Sequence, residues 1–157
     1  MVIRPATVAD MEGVRMLLGA AWHQVYDPII GPDAVAEIIA RWHAPALLTE
    51  QLTQPRSSFL VACEDEVPVG HGFAYMREPD TLVVSRLYVH PSHQRHGVGR
   101  RLLDALRARH EEATSLCLFT AAENLLAVSF YRGEGFTVVR EGIEEGVRVL
   151  HMEKRLG

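Results

Sequence analysis

The sequence predicts an α/β (α+β mixed) fold, a central and mostly antiparallel mixed sheet flanked by helices. Three observations lead there. The apolar spacing alternates between helical and strand periods in the order β-α-α-β-β-β-α-β-α-β-β. Three strands in the middle are joined by short acidic turns, which suits an antiparallel meander. One strand–helix–strand crossover then adds a parallel pair to the antiparallel run.

Val2 to Pro5 reads as a short opening strand. Thr7 caps the next helix, with Asp10 three residues on as an acidic relative of the capping box. Val8, Met11, Val14, Leu17, Leu18, Ala21 and Val25 recur at helical spacing, so this helix runs to about His23 before Asp27-Pro28 and Gly31-Pro32 break it. A second helix spans about Asp33 to Trp42, with Val35, Ile38, Ile39 and Trp42 on one side, and Pro45 opens a third helical stretch that ends before Pro55. Ser58 to Glu64, Val67 to Met76 and Thr81 to Val89 are the meander strands. A helix from about Val98 to Glu111 turns Val98, Leu102, Ala105 and Leu106 inward, and Ser115 to Thr120 is a buried strand. Asn124 caps a short helix ending at Gly133 or Gly135, and Phe136 to Glu141 with Val147 to Lys154 form a closing hairpin.

At 157 residues the chain is expected to be a single domain, residues 1–157, with a full core. No apolar run is long enough to cross a bilayer, and the N-terminus lacks the apolar core of a signal peptide, so a cytoplasmic protein without membrane partners is expected. Cys63 and Cys117 each lie in an apolar run and read as buried thiols. A formal charge of −4 argues against nucleic-acid binding. Arg95, Arg100, Arg101, Arg107 and Arg109 nevertheless crowd one segment, which points to a local anionic ligand.

That segment is His90-Pro91-Ser92-His93-Gln94-Arg95-His96-Gly97-Val98-Gly99-Arg100-Arg101. Its three histidines would ligate a metal only on a continuous helix, which Pro91 and Gly97 disfavour, so solvated loop histidines and no metal are expected. The segment follows a strand and opens a helix. At such a junction the first backbone N–H groups lack intrahelical partners, and the helix dipole adds partial positive charge. Glycines at 97 and 99 let an anion approach those amides and permit positive φ. Arginines 95, 100 and 101 charge the rim. The chemistry fits a pyrophosphate held by backbone, although the pattern is neither the dinucleotide fingerprint nor a P-loop.

Gln94-Arg95-His96-Gly97-Val98-Gly99 resembles the Gln/Arg-x-x-Gly-x-Gly/Ala signature of the GCN5-related N-acetyltransferase (GNAT) superfamily. Arg86 to Pro91 before it is similar to that family's fourth strand, and Arg101 to Leu106 after it to the third helix. A second segment, Asn124 to Phe136, resembles the family's Asn-x-x-Ala-x-x-Phe-Tyr-x-x-x-Gly-Phe element, and Ile3-Arg4-Pro5-Ala6-Thr7-x-x-Asp10 is typical of its N-terminus.

The resemblance implies an acetyl-CoA-dependent N-acetyltransferase acting on an amine by direct transfer in a ternary complex. It assigns Gln94 and the amides of Arg95, His96, Gly97, Val98, Gly99 and Arg100 to the CoA pyrophosphate. Strands Thr81–Val89 and Ser115–Thr120 would splay, leaving Leu87, Tyr88 and Val89 to bond the pantetheine and polarise the thioester carbonyl. Asn124 would touch the pantetheine or cap its helix. Tyr131 would line the donor site and protonate the departing thiolate, with packing beside Phe130 as the alternative.

Trp22, Tyr26 and Tyr75, with Asp27 and Trp42 nearby, would form the acceptor pocket, where aromatics can hold a cationic amine; Trp22 and Trp42 lie at helical spacing with apolar neighbours, which makes core packing their default reading. Some relatives place a carboxylate on the fourth strand. Thr81 to Val89 has none, which leaves the base open among a water chain, Asp27, Glu37 and His90. The acceptor is expected to be a small primary amine, a polyamine or a peptide, and the family's habit of pairing allows a homodimer. The alternative is an acyl-CoA-binding sensor that keeps the cradle without chemistry.

Overall fold

A computed structural model describes residues 1–157. Its elements are β1 (Val2–Pro5), α1 (Met11–Ile30), α2 (Pro32–Trp42), α3 (Pro45–Gln51), β2 (Ser57–Glu64), β3 (Val67–Arg77), β4 (Thr81–Val89), α4 (Val98–Ala108), β5 (Ser115–Ala121), α5 (Leu125–Gly133), β6 (Thr137–Glu144) and β7 (Val147–Arg155). The seven strands form one sheet in the order β1-β2-β3-β4-β5-β7-β6. Every neighbouring pair is antiparallel except β4 and β5, which the α4 crossover makes parallel. No helix is long and apolar enough to cross a membrane.

Side-chain alternation sorts the meander onto two faces. Leu60, Ala62, Ala74 and Met76 point to one face and pack with Val98, Leu102 and Leu106 of α4. Phe59, Val61, Cys63 and Phe73 point to the other, beneath Val14 and Leu18 of α1 and Leu48 of α3. Two glycines in β3 bring α4 close. A Cβ at Gly70 would stand 2.8 Å from Val98 Cγ1, and one at Gly72 would stand 2.9 Å from Leu106 Cδ1. A side chain at either position would push the start of α4, and with it the site, off the sheet.

Between the pairs Phe73–Arg86 and Ala74–Val84 the register slips by one residue, so Ser85 is an extra residue bulged out of β4.

Two local expectations are corrected. α1 does not stop near His23 but runs through Pro28 to Ile30. Pro28 forfeits one intrahelical bond, yet Trp22, Tyr26, Ile29 and Ile30 pack with Val35 and Ile38 of α2, and that burial carries the helix past the proline. Gly31, at φ +89°, then ends it. Val8 does not share the buried stripe. It lies in a 3₁₀ turn ahead of α1 and is 69% exposed. Asp10 closes that turn, accepting from the Thr7 N–H at 2.8 Å and from both Arg4 terminal nitrogens at 2.8 and 2.9 Å.

Candidate active site

The site exists because β4 and β5 part. They pair only at Thr81–Ser115, Leu82–Leu116 and Val83–Cys117, and beyond Val83 the β5-facing edge of β4 has no strand partner. Two cavities open beside this gap. One, of about 400 Å³, runs from the start of α4 along β4 to α5, touching Leu87, Val89, Gly97, Asn124 and Tyr131. The other, of about 390 Å³, lies under α1 and α2 and touches Trp22, Trp42, His43, Gln51 and Val147. Tyr26, Ser85, Arg86, Tyr88, Phe119 and Thr120 border both, so the cavities meet where the strands diverge.

The first cavity holds a ready anion site. Arg95 and Gly97 take φ of 66° and 80° and curl the loop ahead of α4. The first α4 amide with a backbone acceptor is that of Arg101, which donates to Gly97 O at 3.1 Å. No side chain caps this helix, so the N–H groups of Val98, Gly99 and Arg100 are left for a ligand. All three residues line the cavity, as does Arg95, and nothing stands within 4 Å of where a Gly97 Cβ would lie. This donor set fits a phosphate group.

Gln94 has a different task from its neighbours. Its side-chain amide donates to Val89 O at 3.2 Å and to Gln24 Oε1 at 2.9 Å, lashing the loop to the end of β4 and to α1. His96 is exposed and borders neither cavity. His93 bonds Glu64 at 2.8 Å, and His90 accepts from the Ser92 N–H at 3.2 Å.

Further along, Leu87, Tyr88 and Val89 line the first cavity at the unpaired edge. Asn124 caps α5, its Oδ1 accepting from the Ala127 N–H at 3.2 Å, and also lines the cavity. Tyr131 is buried between Phe130 and Phe136, at ring separations of 5.3 and 5.5 Å, with its ring on the cavity wall. Burial pushes the Tyr131 phenol well above its ordinary pKa, with nearby Tyr26 adding to the effect, so it stays protonated. Burial raises Tyr88 and Tyr26 too, opposed in Tyr26 by hydrogen bonding from the Asn124 side chain and the Ala121 backbone. Three neutral phenols thus ring the gap.

In the second cavity Trp22 stacks 4.5 Å from Tyr26 and meets Trp42 edge-on at 5.8 Å. Trp22 and Tyr26 are both core and cavity wall. Tyr75 is not brought to them. It packs 6.2 Å from Phe73 beneath α1 and borders neither cavity, because β3 projects it at the far end of the meander, opposite Val83 and Ser57. Asp27, Glu37 and His90, the candidate bases, border neither cavity; Asp27 is taken by His23 at 2.6 Å.

Two residues of this wall have no sequence motif. His43 is buried, and its pKa is pushed down to about 4 by that burial and by the Arg86 charge, so its imidazole is neutral. Arg86 is 7% exposed and borders both cavities. A lone charged residue, Arg86, on a strand otherwise free of charge was the available signal.

A family model described as an acetyltransferase (GNAT) domain matches residues 26–156. The probable N-acetyltransferase Rv2775 of Mycobacterium tuberculosis is 28% identical, over 98% of this chain and 92% of that protein. The PaiA N-acetyltransferase of Thermoplasma acidophilum, solved in complex with coenzyme A, superposes with a TM-score of 0.89 at 20% identity, covering 99% of this chain and 98% of that one. A GCN5-related N-acetyltransferase of Rhodopseudomonas palustris gives 0.76 at 23% identity, covering 99% and 95%. The family match over most of the chain, on a fold with these two meeting cavities, makes this protein a member of the GNAT acetyltransferases.

Proposed function

We propose that residues 1–157 act as one cytoplasmic GNAT domain that moves the acetyl group of acetyl-CoA directly onto the nitrogen of a small primary amine. The observation that carries this reading is the meeting of two cavities at the unpaired edge of β4. Bound acetyl-CoA supplies the acyl thioester. The amides of Val98, Gly99 and Arg100, at the positive end of α4, hold its diphosphate, and Arg95 adds charge beside them. The free β4 edge across Leu87, Tyr88 and Val89 offers N–H donors to the carbonyl oxygen as charge develops there. Tyr131 donates its phenolic proton to the departing sulfur. Burial raises the proton affinity of both groups, so the match between them is kept.

The amine must be neutral to attack, and an ordinary primary amine has a pKa of about 10. No carboxylate lines the donor cavity, while the acceptor cavity carries Glu144 free of any ion pair, so the proton leaves through the acceptor cavity, to water or by way of Glu144.

Thiol release with a panel of amines tests the reading, and binding of CoA with no turnover on any of them overturns it. Tyr131→Phe is expected to keep CoA affinity while turnover falls by about 10²-fold or more, the usual worth of a general acid. An unchanged rate assigns Tyr131 to packing alone.

A further inference from the structure

Five buried side-chain polar atoms lack a hydrogen-bond partner: Trp22 Nε1, His43 Nδ1, Gln51 Oε1, Arg86 Nη2 and His151 Nε2. The first four belong to residues of the acceptor cavity wall. Orphaned buried groups are rare, and each costs about 1–3 kcal/mol. Trp22 nevertheless has the Tyr88 hydroxyl beside it as a partner, which leaves His43, Gln51 and Arg86 around one cavity as the groups a ligand would partner.

Arg86 says what kind of ligand. Its Nε donates to His71 Nε2 at 3.0 Å, and His71 Nδ1 is bonded to Leu60 O at 2.9 Å, so His71 is a neutral acceptor with its proton on Nδ1. The guanidinium lies 4.9 Å from the Phe73 ring centre and 5.4 Å from that of Phe59. These contacts fix its plane without neutralising its charge. Arg86 takes part in none of the protein's ion pairs. A buried, oriented and unpaired guanidinium is the natural partner of a carboxylate.

The remaining wall adds the second half. Ile30, Ile38, Trp42, Leu47, Val147 and Val149 make it apolar. Its only acids are Glu144 and Glu145, and Glu145 is held by both terminal nitrogens of Arg41 at 3.0 and 2.9 Å. A polyamine would set its cations against Arg41 and Arg86 with one free carboxylate to receive them, which disfavours the polyamine expectation.

We propose that the acceptor is an amine carrying a carboxylate beside an apolar side chain, its carboxylate held by Arg86 and its nitrogen turned to the gap between β4 and β5. This rests on the acetyl-transfer reading above. In the step, the amine nitrogen bonds the acetyl carbon as the carbon–sulfur bond breaks. The sulfur leaves as the thiol with one proton, and the second proton released by the ammonium group goes to water.

The test separates this proposal from that reading by using equilibrium binding. N-acetylphenylalanine and N-acetylleucine, each against its own C-terminal amide, are titrated into the intact protein, with CoA titrated separately. The acids are expected to bind at least about tenfold more tightly than the amides, a difference that Arg86→Met abolishes and Arg86→Lys partly keeps. CoA affinity is expected to change far less than this ratio in both variants, because the diphosphate is held by the α4 amides and Arg86 borders the donor cavity where it meets the acceptor cavity. Acid and amide binding equally, or neither binding, overturns the proposal while leaving the donor reading to stand on its CoA titration. Should Arg86→Met fail to fold, the acid-against-amide comparison in the unaltered protein still decides. In kinetics, phenylalanine is expected to outrun phenethylamine in kcat/KM; the reverse order overturns the proposal.

Discussion

Around the gap between β4 and β5, the donor cavity is made chiefly of main chain and the acceptor cavity of side chains. On the donor side the proposed binding atoms are the amides of α4's first turn and the free edge of a strand. Their positions follow from where a helix begins and where two strands stop pairing. On the acceptor side the proposed binding atoms are an imidazole, a carboxamide and a guanidinium brought from the end of α2, α3 and β4. The first half of the site can stay constant while surface residues change. The second can be re-specified by single substitutions, which is how one scaffold serves many acceptors.

Acid should break the two halves apart most strongly. Burial, then the Arg86 charge, holds His71 and His43 below the ordinary histidine pKa of 6.5, His43 at about 4. The unfolded chain therefore binds protons between about pH 6.5 and 4 that the folded chain refuses. Stability present above the upper value is lost as pH falls through that window. For His43 the shift corresponds to about 3 kcal/mol. Denaturant midpoints measured across this range should fall, and His43→Gln should flatten the slope; an equally steep slope in the variant contradicts the assignment.

Next in size is Gly97→Glu. A side chain at φ +80° costs on the order of 1 kcal/mol, and a carboxylate facing a diphosphate costs more. CoA affinity should drop about 100-fold while N-acetylated amino acids still bind, and unweakened CoA binding would remove the anion cradle. Gln94→Ala cuts the tether to Val89 and Gln24, two hydrogen bonds worth about 1 kcal/mol each, so CoA affinity should fall by up to about 30-fold, with acceptor binding unmoved. The smallest effect belongs to Arg41→Ala, at the exposed clasp to Glu145. Such pairs are worth about 0.2–1 kcal/mol, so the acceptor KM should shift by about two- to fivefold and lose its salt dependence. A larger shift would make the clasp part of acceptor binding.

The same contrast decides what could be read from the sequence. The meander, the crossover, the α4 cradle and the Asn124 cap depend on residues close in the chain, so spacing and glycine placement reveal them. Pro28 misleads because long-range burial against α2 outweighs one lost bond. Tyr75 misleads because a strand residue's face is legible while its distance along the strand from a gap is not. Arg86 shows in the sequence only as the one charged residue of its strand, and His43 carries no local signature. What makes them a site is the absence of partners, and that becomes countable only once Phe59, His71 and Phe73 are in place around the guanidinium.

The single extra residue at Ser85 has a consequence for parity. Leu82 and Val84 face α4, and so do Leu87 and Val89, an odd step apart. That change of phase at the bulge is what delivers Arg86 onto the rings of Phe59 and Phe73 and Tyr88 toward Trp22. Were Ser85 taken into a regular pleat instead of bulged, the guanidinium would turn into the leucines beneath α4 and Leu87 to the acceptor, whereas deleting Ser85 would leave both faces as they are. Holding that one position out of the pleat therefore sets which side of the sheet carries the charge.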